Sequence, residues 1–482
     1  MTIKKFYSLV HIAIIAGAVM LFINCVTVEK PAEQPKQEVT VKKDSGFLEK
    51  LSVLLGKNDF SGAIALFDAL SVEEQEMPQN RVLKASVLLS AERLEEARNI
   101  ANGLIAEDKK NIDARYVLSG IEAASGNYKE QKLLLEAIEK ESPAYIPALN
   151  DLGTIAINNK NLRAAASYFD KSLDADPVNL DALNGKANVF RLQRKPDDAQ
   201  AILSKAVELY PNNYSVYSER GRFYREIGNL KDALTDLQIS DKLYPNNYWT
   251  CYDLGRVYLD MLKNDDALKQ FSKAIKINPN NFIAFVYSAG LKDRLGDLKG
   301  AIQDYQRILE LRPDYYFAYE GMAVLKMLQK DYIGAQNAFL EAYKAVPSEN
   351  SYAILATICS LKSGKKKQEV REFVDFAMRK IDRNKVDYHV TRLFFDFSGD
   401  SDVCRRIDAE KNPRTKAQML FYVANYYAIQ GNDMIADNFF VQVNDIGRRD
   451  MIEWRLNESM IADRNIVLET EPKPAKSGKV KQ

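Results

Sequence analysis

Seven prolines constrain this chain more than any other feature. Pro143, Pro177, Pro211, Pro245, Pro279, Pro313 and Pro347 stand 34 residues apart. Fifteen prolines scattered at random would put about one or none on any given phase, so residues 146–345 are one pattern written six times. Three junctions share their wording: PNNY at 211–214 and 245–248, and PNNF at 279–282. A repeat this short grows by stacking on its neighbours. Its 482 residues therefore do not translate into three globular domains.

The columns between the prolines define the unit. Counting the third residue after each proline as position 1, position 8 is small: Gly153, Ala187, Gly221, Gly255, Ala289 and Ala323. Position 20 is alanine throughout: Ala165, Ala199, Ala233, Ala267, Ala301 and Ala335. Position 24 is large and apolar: Phe169, Leu203, Leu237, Phe271, Tyr305 and Phe339. Other apolar residues recur at three and four, the helical period. Position 11 is aromatic in Phe190, Tyr224 and Tyr258. A small residue lets two helix backbones approach, and a ring fills the space beside it. Positions 1 to about 14 are thus predicted to form a first helix and about 17 to 31 a second. The proline ends the pair, because a helix cannot run on through it. Asn213, Asn247 and Asn281 then stand where the next first helix needs an N-cap.

This pattern resembles the tetratricopeptide repeat, whose signature over 34 residues is W-x2-L-G-x2-Y…A-x3-F…P. Residues 248–281 match it through Leu254, Gly255, Tyr258, Ala267, Phe271, Ala274 and Pro279, with Cys251 where the tryptophan stands. The resemblance implies an all-α, right-handed superhelical solenoid of antiparallel helix pairs. It specifies a scaffold and not a chemistry.

The same phase runs outward from the middle repeats. Upstream it finds Leu118, Gly126 and Leu135, then Ala85 and Ala97, then Leu51, Leu54, Ala63 and Phe67. Downstream, the unit at 350 places Glu369 at position 20 and Ile381 at position 32, and 384–416 are more degenerate. A unit returns one residue out of phase at 417, with Ala424, Tyr427, Gly431, Ala436 and Phe440. The expected organisation is about twelve pairs: a solenoid over 44–383, degenerate helices and a solvating cap over 384–468, and a disordered tail over 469–482.

Residues 1–24 read as a leader. Lys4 and Lys5 precede an apolar run from Leu9 to Ile23, which ends in Asn24-Cys25. The run resembles a bacterial lipoprotein signal, with Asn24 where a glycine or alanine is usual. That resemblance implies lipidation of Cys25 and a periplasm-facing anchor in the cell envelope. An uncleaved anchor helix is the other reading. Residues 25–43 then form a charged linker containing Pro31 and Pro35, reaching at most roughly 60 Å. Loss of 1–24 removes two lysines and no acid, leaving a charge of −1. That balance gives no support for nucleic-acid binding.

Residues for catalysis are few. The two histidines are His11, in the leader, and His389, and no phosphate loop, nucleophile elbow or metal-spaced cysteine pair occurs. Cys251 and Cys359 fall in apolar helix columns and read as buried thiols, with Cys404 further on. No cofactor is expected and the chain reads as non-enzymatic, although 350–468, where the pattern decays, could hold an accessory activity.

The resemblance implies that positions 2, 5, 9 and 12 of the first helices face a concave groove, which takes an extended peptide or a partner's helix. These spacings share one helical stripe. In the middle repeats the stripe reads Asn150; Asn184, Asn188 and Arg191; Ser218, Arg222 and Arg225; Trp249, Tyr252 and Arg256. Amides can hold a peptide backbone and guanidiniums can grip carboxylates. The expected partner is an envelope protein offering an acidic segment. The competing expectation is that Arg222 pairs with Glu219 and Glu226, and Arg256 with Asp253 and Asp260, along solvated helices. An alternative function is a carrier or transporter-associated protein holding a small apolar ligand against Phe317, Val324 and Met327.

Overall fold

A computed structural model describes residues 45–468, and every regular element among them is a helix. Leader, Cys25, linker and tail lie outside the described residues. Two compact units divide between Asn229 and Leu230. The first holds α1 (Ser45–Gly56), α2 (Phe60–Asp68), α3 (Val72–Glu76), α4 (Pro78–Ser90), α5 (Leu94–Glu107), α6 (Ile112–Ala124), α7 (Tyr128–Glu141), α8 (Ile146–Asn158), α9 (Leu162–Ala175), α10 (Leu180–Leu192), α11 (Pro196–Leu209) and α12 (Tyr214–Glu226). The second holds α13 (Leu230–Leu243), α14 (Tyr248–Asp260), α15 (Asn264–Ile277), α16 (Phe282–Arg294), α17 (Leu298–Leu311), α18 (Tyr316–Leu328), α19 (Tyr332–Ala345), α20 (Asn350–Lys362), α21 (Lys367–Met378), α22 (Val386–Asp396), α23 (Asp400–Ala409), α24 (Pro413–Ile429), α25 (Asp433–Ile446) and α26 (Ile452–Asp463).

The repeat is built as its columns dictate. First helices begin at position 1 and second helices at position 17 in all six middle units. Each second helix stops before its proline because the preceding residue is pushed extended: φ is −143° at Asp176, −128° at Tyr210 and −144° at Arg312. Asn213, Asn247 and Asn281 then cap the next helix, accepting from Ser215, Thr250 and Ile283 N–H at 2.9, 3.0 and 3.1 Å. Such a cap is worth about 1 kcal/mol. Between the two helices, position 15 takes positive φ in every middle unit. It holds Gly228 and Gly296, but also Lys160, Arg194, Leu262 and Lys330.

Consecutive helices pack as pairs: α8 with α9 and α10 with α11 in the first unit, α14 with α15, α16 with α17 and α18 with α19 in the second. Position 8 is small because position 24 sits against it. A Cβ on Gly153 would lie 2.6 Å from Phe169 Cζ, and one on Gly255 2.8 Å from Phe271 Cζ. The six alanines of position 20 are fully buried.

Beyond α20 the pattern changes for local reasons. Glu369, where alanine is the rule, accepts from Lys366 N–H at 2.6 Å and so caps α21 instead of packing. The final helix departs from the expected solvating cap. In α26 Glu453, Trp454, Leu456, Asn457, Met460 and Ile461 are all buried. Two sides of that helix meet protein. Cys251 and Cys359 are fully buried free thiols, and Cys404 is half-buried.

Candidate interaction surface

The stripe of the first unit is carried by α8, α10 and α12, and its members differ in what they touch. On α8, half-buried Asn150 donates through Nδ2 to Asn179 Oδ1 at 3.1 Å. Asn179 is the N-cap of α10, accepting from Ala182 N–H at 3.0 Å, so Asn150 ties one repeat to the next. On α10, Asn188 Oδ1 accepts from Arg191 Nη2 at 2.8 Å, and Arg191 Nη1 lies 2.7 Å from Glu226 on α12. Asn184, one turn earlier, is half-buried, and its buried Oδ1 has no hydrogen-bond partner among the described residues. On α12, exposed Arg222 pairs with Glu219 at 2.9 Å and donates through Nε to the Ser218 carbonyl at 3.3 Å, while Arg225 is half-buried. Ser218, expected to face a ligand, is itself buried. Glu226 pairs with Arg191, because position 12 of one repeat reaches the following first helix.

Sequence reasoning missed an acidic neighbour of these residues. The Tyr116 hydroxyl donates to Asp151 at 3.1 Å and the Tyr145 hydroxyl to Asp113 at 2.7 Å. Burial lifts the Asp151 carboxyl to about 7; the Tyr116 bond opposes the rise and Asp181 adds to it. Asp113, Tyr116 and Asp181 hold positions 2, 5 and 2 of their units, so the signal is present in the repeat columns. A stripe begun at Asn150 leaves out the first two, and one taken up again at Asn184 leaves out Asp181. On the first helices of this unit, acidic groups of α6, α8 and α10 are followed by the basic groups of α10 and α12.

In the second unit, α14 presents an aromatic cluster. Trp249 and Tyr252 meet edge to face at 5.8 Å, and Tyr252 meets Tyr287 and Phe271 at 5.6 and 5.9 Å. Phe271 and Tyr287 stack at 4.9 Å. The Arg256 guanidinium lies over the Tyr252 ring at 5.6 Å, and burial raises the Tyr252 hydroxyl pKa. Such rings are largely core, with Trp249 and Tyr252 half-buried at its edge.

The apolar stretch expected to hold a small ligand is not an open wall. Val324 and Met327 are buried in the core of the second unit, while Phe317 is exposed and stacks on Tyr316 at 4.1 Å. In the decayed region, the Tyr422 hydroxyl donates to Glu453, and burial raises both groups. Both side chains are shut inside the core, where no substrate can approach them. His389 is packed edge-on against Tyr388 at 5.5 Å. Among the described residues no three His, Cys, Asp or Glu side chains group as metal ligands, and no helix is long and apolar enough to cross a membrane.

A family model agrees with this architecture over the middle repeats. The tetratricopeptide repeat family model matches residues 150–213, 187–248 and 252–316. No curated protein sequence matches. Similar solved structures include Pseudomonas aeruginosa pilF, 24% identical, with a TM-score of 0.38 over 43% of this chain and 94% of that one. A tetratricopeptide repeat protein from Parabacteroides merdae is 19% identical, with a TM-score of 0.39 over 51% and 96%. YrrB, described as a tetratricopeptide repeat protein with an unusual peptide-binding site, is 20% identical, with a TM-score of 0.30 over 38% and 95%. With its 34-residue helix pairs, its small-against-aromatic crossings and the match to the family model, residues 150–248 and 252–316 are tetratricopeptide repeats.

Proposed function

We propose that this chain is a non-enzymatic scaffold of the bacterial cell envelope, holding an extended acidic segment of a partner protein along α8, α10 and α12. The observation that carries this reading is Asn184. Its buried carbonyl oxygen lacks a donor among the described residues, and a buried acceptor left unmade costs about 1–3 kcal/mol. Turned towards the groove, this half-buried amide would accept from a peptide N–H. The Arg191 guanidinium on the same helix is available at low cost. Its side chain is 43% exposed and that of its partner Glu226 50%. Surface pairs of that kind are worth about 0–1 kcal/mol, so an incoming carboxylate can replace them.

Selection of a displayed random-peptide library on the full chain tests the reading. The enriched peptides should be rich in Asp and Glu and should bind more weakly as salt rises. The variant Asn184→Ala, Arg222→Ala should lose about tenfold or more in affinity while keeping its helical circular dichroism. Neutral or basic peptides that bind the variant as well as wild type would remove this surface from consideration.

The anchor is the second part of the proposal. Lys4, Lys5, the apolar run and Cys25 support acylation of Cys25, leaving the scaffold tethered and facing the periplasm. Metabolic labelling with a fatty-acid analogue should mark the wild-type protein and not Cys25→Ser. Equal label in both would exclude the anchor.

A further inference from the structure

Stacked repeats contact their neighbours, so bonds that span many repeats need a specific cause. α26 makes three contacts of this kind, all within the second unit. Arg455 forms a two-pronged ion pair with Asp293 at the end of α16, both N–O distances being 2.5 Å. Met460 Sδ lies 3.4 Å from Lys362 Nζ at the end of α20. Asp463 lies 3.1 Å from Lys330, just past the end of α18. α26 also packs on α18. It therefore crosses the C-terminal ends of three successive first helices, the elements on which this family's ligands were expected.

We propose that the ends of α16, α18 and α20 form a docking surface for an amphipathic helix of a partner protein, and that α26 occupies it as an internal stand-in. The partner helix carries a basic residue for Asp293, a carboxylate for Lys362 and an acidic residue for Lys330. This surface is separate from the stripe on α8, α10 and α12 and does not rest on it.

The chemistry of the contact supports the assignment. Arg455 and Asp463 place opposite charges at the two ends of α26, each facing its complement. Between them the match is incomplete. Lys362 meets a thioether and the Tyr332 ring, 5.7 Å from its centroid, and among the described residues no carboxylate within ion-pair distance. Burial holds its ammonium down to about 8. A desolvated cation that is not directly paired is costly, and a carboxylate at the place of Met460 would relieve it. The other side of α26 is also imperfectly met. Glu453 Oε2 and Asn457 Oδ1 are buried and have no hydrogen-bond partner among the described residues. A helix with the same spacing and the missing carboxylate is thus the better occupant. Gly447, at φ 70°, ends α25 and lets the chain turn before α26.

Two synthetic peptides of residues 449–466, one native and one carrying Met460→Glu, are titrated into the full chain. Amide hydrogen exchange is read at 452–463. The Met460→Glu peptide should bind about tenfold more tightly than the native one and should speed exchange of the α26 amides as it displaces them. Arg455→Ala in the chain should tighten peptide binding, and Asp293→Ala should abolish it. If Arg455→Ala fails to fold, the exchange measurement on wild type still decides. Exchange at 452–463 that is unchanged at saturating peptide, or binding indifferent to Asp293→Ala, would overturn the proposal.

Discussion

At the scale of single residues, the first unit contains a carboxyl held against its preference. Burial disfavours the charge of Asp151 and pushes its carboxyl up to about 7 in the folded chain, against an ordinary 3.8. The folded state therefore holds this proton more tightly than the unfolded state does. The resulting destabilisation is fully present above pH 7 and fades as pH falls towards 4. Asp151→Asn keeps an acceptor for the Tyr116 hydroxyl and removes the charge. It should raise the melting temperature by a few degrees at pH 8 and by less at pH 5, as read by thermal circular dichroism. An equal shift at both values would mean that Asp151 is charged throughout.

At the scale of the helix pair, a small residue at position 8 and a bulky one at position 24 form one contact. The added Cβ of Gly255 would fall 2.8 Å from Phe271 Cζ. Gly255→Leu should therefore cost about 1–3 kcal/mol by overpacking. Combined with Phe271→Leu it should cost less than the sum of the two single changes, because the shortened side chain makes room. Strict additivity in denaturant titrations would show that the two do not meet. This contact is legible in the sequence because each partner recurs at a fixed column. The Asn caps and the proline stops are legible for the same reason. Tertiary contacts that follow no column are not. Nothing in the spacing of 384–416 shows that α22 and α23 are short, or that α26 is buried on two sides. The pairing of Arg191 with Glu226 and the tie from Asn150 to Asn179 are likewise hidden. They join adjacent repeats through side-chain reach, whereas the columns describe one repeat at a time. Val324 and Met327 show the same gap in the opposite direction. Their positions mark a groove wall in an ideal repeat, but the core of the second unit takes them in.

At the scale of the whole molecule, the chain is a series of helix pairs in two compact units, and its proposed work is recognition. Repetition supplies the surface, and the departures from repetition supply its chemistry: amides on α8 and α10, guanidiniums on α10 and α12, rings on α14. The central claim is that a partner's acidic segment lies along the first helices of the first unit. Hydrogen exchange of the full chain with and without a selected acidic peptide tests this most directly. A peptide held there rigidifies the elements that it touches and slows their opening. The account predicts added protection in 146–158, 180–192 and 214–226, little change in the second helices 162–175 and 196–209, and loss of the effect in Asn184→Ala, Arg222→Ala. Protection confined to the second helices, or the same protection in the variant, would contradict it.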